Sequence, residues 1–121
     1  MAISVISNLR DIVISCESSV AVGDLVSLLS TETKVFTITN NQSLLPILGL
    51  VTSLPTAGKA RVLIEGDINY SPTLGIGLLY VSSSGDITIV PPVQGYIQNL
   101  GMSLGNGTII FNSNFERYYI S

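Results

Sequence analysis

Short apolar, β-branched segments, each closed by Gly, Pro or Asn, recur along the whole chain, and that pattern points to an all-β fold. Residues 34–39 and 86–90 alternate polar and apolar with period two, which marks strands covered on one face. Residues 25–28, 60–65, 78–81, 96–100, 108–111 and 117–120 read as further strands between turn signals. Asn40-Asn41 is a turn, and a hairpin across Ser83-Ser84-Gly85 is the shortest link between its neighbours. Residues 44–51 form an unbroken apolar run that a helix could share. Pro46 lacks a backbone donor and Gly49 carries extra backbone entropy, so a strand buried on both faces is preferred. The expected architecture is a compact β-sandwich or β-barrel of about ten short, mostly antiparallel strands with little helix.

The chain of 121 residues has the length of one domain. Residues 1–15 read as an extended arm and first strand, with a break at 8–11. A β domain follows over 16–112, and then an aromatic tail over 113–121. Apolar residues make up 46% of the sequence and charged residues only 11%, against roughly 25% in ordinary soluble domains. So few charges cannot coat a free monomer, and part of the apolar excess is expected to be buried against other subunits. The aromatics near the carboxyl terminus need a surface to pack on, and the apolar arm is placed to reach one. Ile3, Val5, Ile6, Phe115, Tyr118, Tyr119 and Ile120 are therefore the expected subunit contacts.

Residue chemistry narrows the function classes. The net charge is −3 and the five basic residues, Arg10, Lys34, Lys59, Arg61 and Arg117, are scattered, so no patch forms to neutralise a run of phosphates and nucleic acid is not an expected partner. Cys16 is the single cysteine and histidine is absent, which removes an internal disulfide and a thiolate–imidazole zinc site. Without histidine, Ser82 to Ser84 have no imidazole base, and no catalytic residue, cofactor or metal is expected. No segment approaches the roughly 20 apolar residues of a membrane span, and no basic amino-terminal leader is evident, so no membrane partner is expected. Most carboxylates stand beside turns, where they bond to backbone amides. Glu65 and Asp67 flank Gly66 and could share a strand face, the minimum for an acid pair, but nothing in the sequence supplies a pocket for them. Gly75-Ile76-Gly77 and the Gly-rich residues 101–107 join no strand to a helix, so they read as turns and not as phosphate cradles. Tyr70, Tyr80, Tyr96, Tyr118 and Tyr119 could form a glycan-binding platform, with core and subunit packing the favoured use.

The order of these elements resembles that of small all-β structural proteins of tailed-bacteriophage particles. The likeness covers residues 16–111 and rests on Val22-Gly23-Asp24-x-Val26, residues 49–51, a Gly58-x-Ala60-x-Val62 strand, residues 77–82, Pro91-Pro92 and residues 97–102. Met102 stands where such proteins carry a small residue, and the tail after Asn112 extends past their usual end. The resemblance implies a virion structural protein assembled in the host cytoplasm: a capsid decoration, or cement, protein that binds the head lattice as a homotrimer and contacts the major capsid protein or other virion proteins. The alternative it implies is a tail fibre, baseplate or other appendage component that binds host-surface glycan.

Overall fold

The computed structural model describes residues 2–28, 35–37, 46–82, 85–93, 95–116 and 118–120. These residues contain no helix and form twelve strands: β1 Ala2–Ser15, β2 Leu25–Leu28, β3 Val35–Thr37, β4 Ile47–Thr56, β5 Lys59–Ser71, β6 Ile76–Leu78, β7 Tyr80–Val81, β8 Ile87–Thr88, β9 Gly95–Ile97, β10 Gly101–Leu104, β11 Thr108–Asn112 and β12 Tyr118–Ile120. Eight of them build one antiparallel sheet curled into a half-barrel, and β7–β8 and β9–β12 are separate two-stranded ladders. The all-β expectation holds. The expected turn at Asn40-Asn41, residues 44–45 at the start of the apolar run, and Ser83-Ser84 in the hairpin lie outside the described residues.

The spine is β5, whose Lys-Ala-Arg-Val-Leu-Ile stretch is rich in strand formers and passes through Gly66 to the alternating Asp67-Ile68-Asn69-Tyr70. Read from sequence, this strand ends at the glycine. In the structure Gly66 is where β1 comes close, and a Cβ there would lie 2.4 Å from the Ser7 carbonyl oxygen. One edge of β5 is lined from end to end by β1, from Ala2 opposite Ser71 to Ser15 opposite Lys59. Residues 2–15 thus form one extended strand laid along β5. The break expected at 8–11 is a pair of register shifts within a continuous ladder. Ile6 and Leu9 are the extra residues on β1, and Ile64 is the extra residue on β5. Asp11 steadies this stretch by accepting from the Asn8 amide and from Arg61, whose Nη1 is 3.4 Å away.

Along its other edge β5 has two successive partners. Residues Lys59 to Leu63 pair with β4 through a two-residue turn, and Glu65 to Asn69 pair with β11. The sheet therefore forks at Ile64, with β4-β2-β3 as one branch and β11-β10-β6 as the other. A fork leaves backbone groups without a neighbouring strand, and here the buried side chain of Gln98 takes the strand's place. Its Oε1 accepts from the Ile47 amide at 2.7 Å, and its Nε2 donates to the Ile47 carbonyl at 3.0 Å and to Ser113 Oγ at 3.1 Å. The Ser113 hydroxyl also donates to the Ile47 carbonyl, and the Ser113 amide donates to the Ile64 carbonyl at 2.9 Å.

Two apolar clusters flank the fork. Leu25, Ile47, Leu50, Leu63, Ile68, Tyr70, Ile109 and Phe111 pack with Leu79, Val81, Ile87 and Leu100 from the segment that crosses over to the small ladder. Cys16, Val20, Val26, Val51, Ala60 and Val62 form the second, with Ile12 and Ile14 of β1 against it. Leu50 and Val51 are both fully buried, so β4 is apolar on both faces, as its unbroken run implies. The two stretches read as Gly-rich turns are partly strand: β6 begins at Ile76 and β10 covers Gly101–Leu104, while residues 105–107 form the turn into β11. Gly101 opens β10 at φ +115°, and a Cβ there would lie 1.9 Å from the Ile110 carbonyl oxygen, so the glycine is what lets β10 approach β11.

Replacing Gln98 by leucine keeps the volume but leaves the Ile47 N–H and C=O without their amide partner. Unfolding stability is expected to fall by about 2–4 kcal/mol, read as a lower urea midpoint at unchanged m-value. Gln98→Glu should lose stability as well, because a carboxylate cannot donate to the Ile47 carbonyl.

Candidate interaction surface

The expected contact residues do not converge on one place. Ile3 is half-buried and packs against the first apolar cluster, so it serves the core. Val5 and Ile6 are exposed, Ile6 because the bulge turns it out of the ladder. Leu9, the second bulged residue, is 69% exposed and was not among the expected contacts. At the other end of the chain, β12 is hydrogen-bonded to β9, with Tyr118 opposite Ile97, Tyr119 opposite Tyr96 and Ile120 opposite Gly95. The tail is thereby tied to the strand that leads into Gln98. Tyr119 is 64% exposed, and Phe115 is exposed with a left-handed backbone at φ +64°. Asn114 supports that turn by accepting from the Glu116 amide at 3.1 Å. The side chains of Tyr118 and Ile120 lie outside the described residues.

A broader apolar surface stands on the β6-β10-β11 branch, and sequence reading missed it. Met102 lies opposite Leu78 on one side and Ile110 on the other, and Leu104 lies opposite Ile76. Directly opposed residues share a sheet face, and so do residues two apart along a strand, so all five project from the same side. Ile76 is 80% exposed and the other four are 40–47% exposed. The signal for this face is the run Ile109-Ile110-Phe111. With Ile109 and Phe111 buried, a third consecutive apolar residue must emerge on the far side.

The same face continues onto β5. Ile110 pairs with Asp67, Thr108 with Asn69 and Asn112 with Glu65, while Arg10 of β1 lies opposite Glu65. Glu65 and Asp67 thus share a face, as their spacing requires, and they border the apolar patch on a strand surface. Among the described residues no group of three or more His, Cys, Asp or Glu side chains comes together to hold a metal ion. The three tyrosines whose side chains are described stand on different elements: Tyr70 is in the core, Tyr80 is half-buried in β7, and Tyr119 stands on β12. The side chains of Tyr96 and Tyr118 lie outside the described residues. No helix among the described residues is long and apolar enough to cross a membrane. No protein-family model matches the chain, and no curated protein or solved structure is significantly similar to it.

Tyr70 is the titratable group that links this branch to the core. Burial, and then the negative charge of Asp86, raise its pKa above the usual 10.0. An unfolded chain therefore loses the tyrosine proton at lower pH than the folded one, so the stability tied to this group is complete below about pH 10 and is lost as pH climbs through the raised folded value. Tyr70→Phe should flatten that alkaline decline, as measured by urea midpoints of the two proteins across the tyrosine range.

Proposed function

We propose that this chain is a structural protein of a tailed-phage particle, a head decoration protein that binds the capsid lattice as a homo-oligomer, with the trimer as the stoichiometry its resemblance implies. The observation that carries the reading is the uncharged apolar face of β6, β10 and β11, which suits a protein that works by association. The low charge content of the whole chain supports it, as does the order of strands and turns from the Val22-Gly23-Asp24 turn onward. That turn is built as such a motif requires: Gly23 adopts φ +95°, its amide donates to the Val51 carbonyl at 2.8 Å, and the Asp24 carboxylate accepts from the Ala21 amide at 2.8 Å.

The role is mechanical. A protein that binds the mature lattice and not its precursor or broken forms stabilises the shell by mass action, by about 2.7 kcal/mol per site at a free concentration one hundred times its dissociation constant. Incubating the purified protein with undecorated heads of its own phage should give saturable binding at a fixed number of copies per particle. The decorated heads should then hold their DNA to a higher temperature. Absence of head binding together with retention on host-surface glycan would move the chain to a tail appendage.

A further inference from the structure

We infer that the exposed β6-β10-β11 face is a contact between copies of this chain, with Ile76, Leu78, Met102, Leu104 and Ile110 covered by a second copy. This deepens the homo-oligomer part of the reading above, and it is tested apart from that reading because self-association requires no phage head.

Three observations select this occupant. The first is size: five side chains this exposed amount to roughly 400–500 Å² of apolar surface, the upper range for a free monomer. Two such patches brought together remove on the order of 900 Å² from water, close to the lower limit for a specific association. The second is charge. No charged residue occurs on β6, β10 or β11, and the nearest along the cross-strand row is Asp67, with Glu65 two residues further along β5. A carboxylate border repels anionic lipid and nucleic acid, so neither suits the face.

The third is complementarity between the two borders of the patch. At one border stand the half-buried Asp67 and Glu65, which are hydrogen-bond acceptors. At the other is β6, which pairs with β10 alone among the described residues and so stands there as an edge strand, whose backbone carries N–H donors. One copy thus offers carboxylate acceptors at the border where the next offers a strand edge, and the apolar rows between them carry no charge.

The test is sedimentation velocity on the purified full chain, from low to high micromolar, for wild type and for Leu78→Lys and Ile110→Lys. Both positions are exposed, so the variants should fold, which a wild-type circular dichroism spectrum and urea midpoint would establish. Val93→Lys, at an exposed position off the patch, is the control. Wild type and the control should associate alike, and each patch variant should weaken association about tenfold or more. A second readout needs no substitution: apart from Met1, Met102 is the only methionine, and its peroxide oxidation should slow as the protein is concentrated. Wild type that stays monomeric, an oligomer indifferent to both lysines, or Met102 oxidised at the same rate at every concentration would overturn the inference.

Discussion

The Gln98 amide is the joint on which the fold depends. A sheet can fork only if the backbone groups exposed in the crotch find partners, since each buried N–H or C=O left alone costs about 1–3 kcal/mol. A primary amide offers one acceptor and two donors in a plane, much as a peptide group does, so Gln98 bonds to both the N–H and C=O of Ile47 and has one donor left for Ser113. Ser113 then reaches Ile64, the bulged residue of β5 at the point of divergence. Two branches are held at the split by one side chain, while β1 runs unbroken across the opposite edge. Asn99 and Gly101 follow directly. Asn99 Nδ2 donates to the Leu79 carbonyl, and the Leu79 amide bonds to the Gly101 carbonyl, so a single short segment fixes the fork, the crossover and the first residue of β10.

The fork also decides what is left exposed. On the β4 branch Leu25, Ile47 and Leu50 face one cluster and Val26 and Val51 the other, so these apolar side chains of β2 and β4 are used inside the subunit. On the β11 branch only one side meets the core, through Ile109 and Phe111, and the other side carries the five apolar residues outward. In a chain with 11% charged residues, part of the apolar excess is therefore gathered in contiguous rows on one strand surface bordered by Asp67 and Glu65. Concentration matters more than amount, because scattered exposed hydrophobes are ordinary and a contiguous row is not.

Much of the architecture was legible locally. β2 and β11 follow from apolar segments between turn signals, the β7–β8 hairpin from alternation after its turn, and the doubly buried β4 from its unbroken run. What failed shares one cause. Gly66, Gly77 and Gly101 read as stops, although Gly66 and Gly101 mark places where another strand comes too close for a side chain. That distinction depends on pairing partners that periodicity does not name: Ser7, far away in sequence, for Gly66, and Ile110, across the hairpin turn, for Gly101. For the same reason the bonds from Gln98 to Ile47, across 51 residues, carry no periodic signal, even though Gln98 and Gly101 stand in the stretch on which the resemblance rests. The β6-β10-β11 face was not among the expected contacts, which were chosen for their nearness to a terminus. Ile3 is used by the core and β12 is tied to β9, whereas the Ile109-Ile110-Phe111 run already required an apolar residue on each side of β11.

The long outer edge of β1 carries its own protection against strand addition. Among the described residues, β1 has no partner on its outer side over 14 residues, which is a template for unlimited strand addition. The bulges at Ile6 and Leu9 interrupt that template twice within a few residues, so an incoming strand would lose register before it had formed a stable run of bonds. Arg10 and Asp11 follow the second bulge, and a strand added there must accommodate both charges. The β6 edge is blunted differently, by being only three residues long. A strand added there would form too few backbone bonds to hold by itself, so any attachment at this edge would have to draw on the adjacent apolar face.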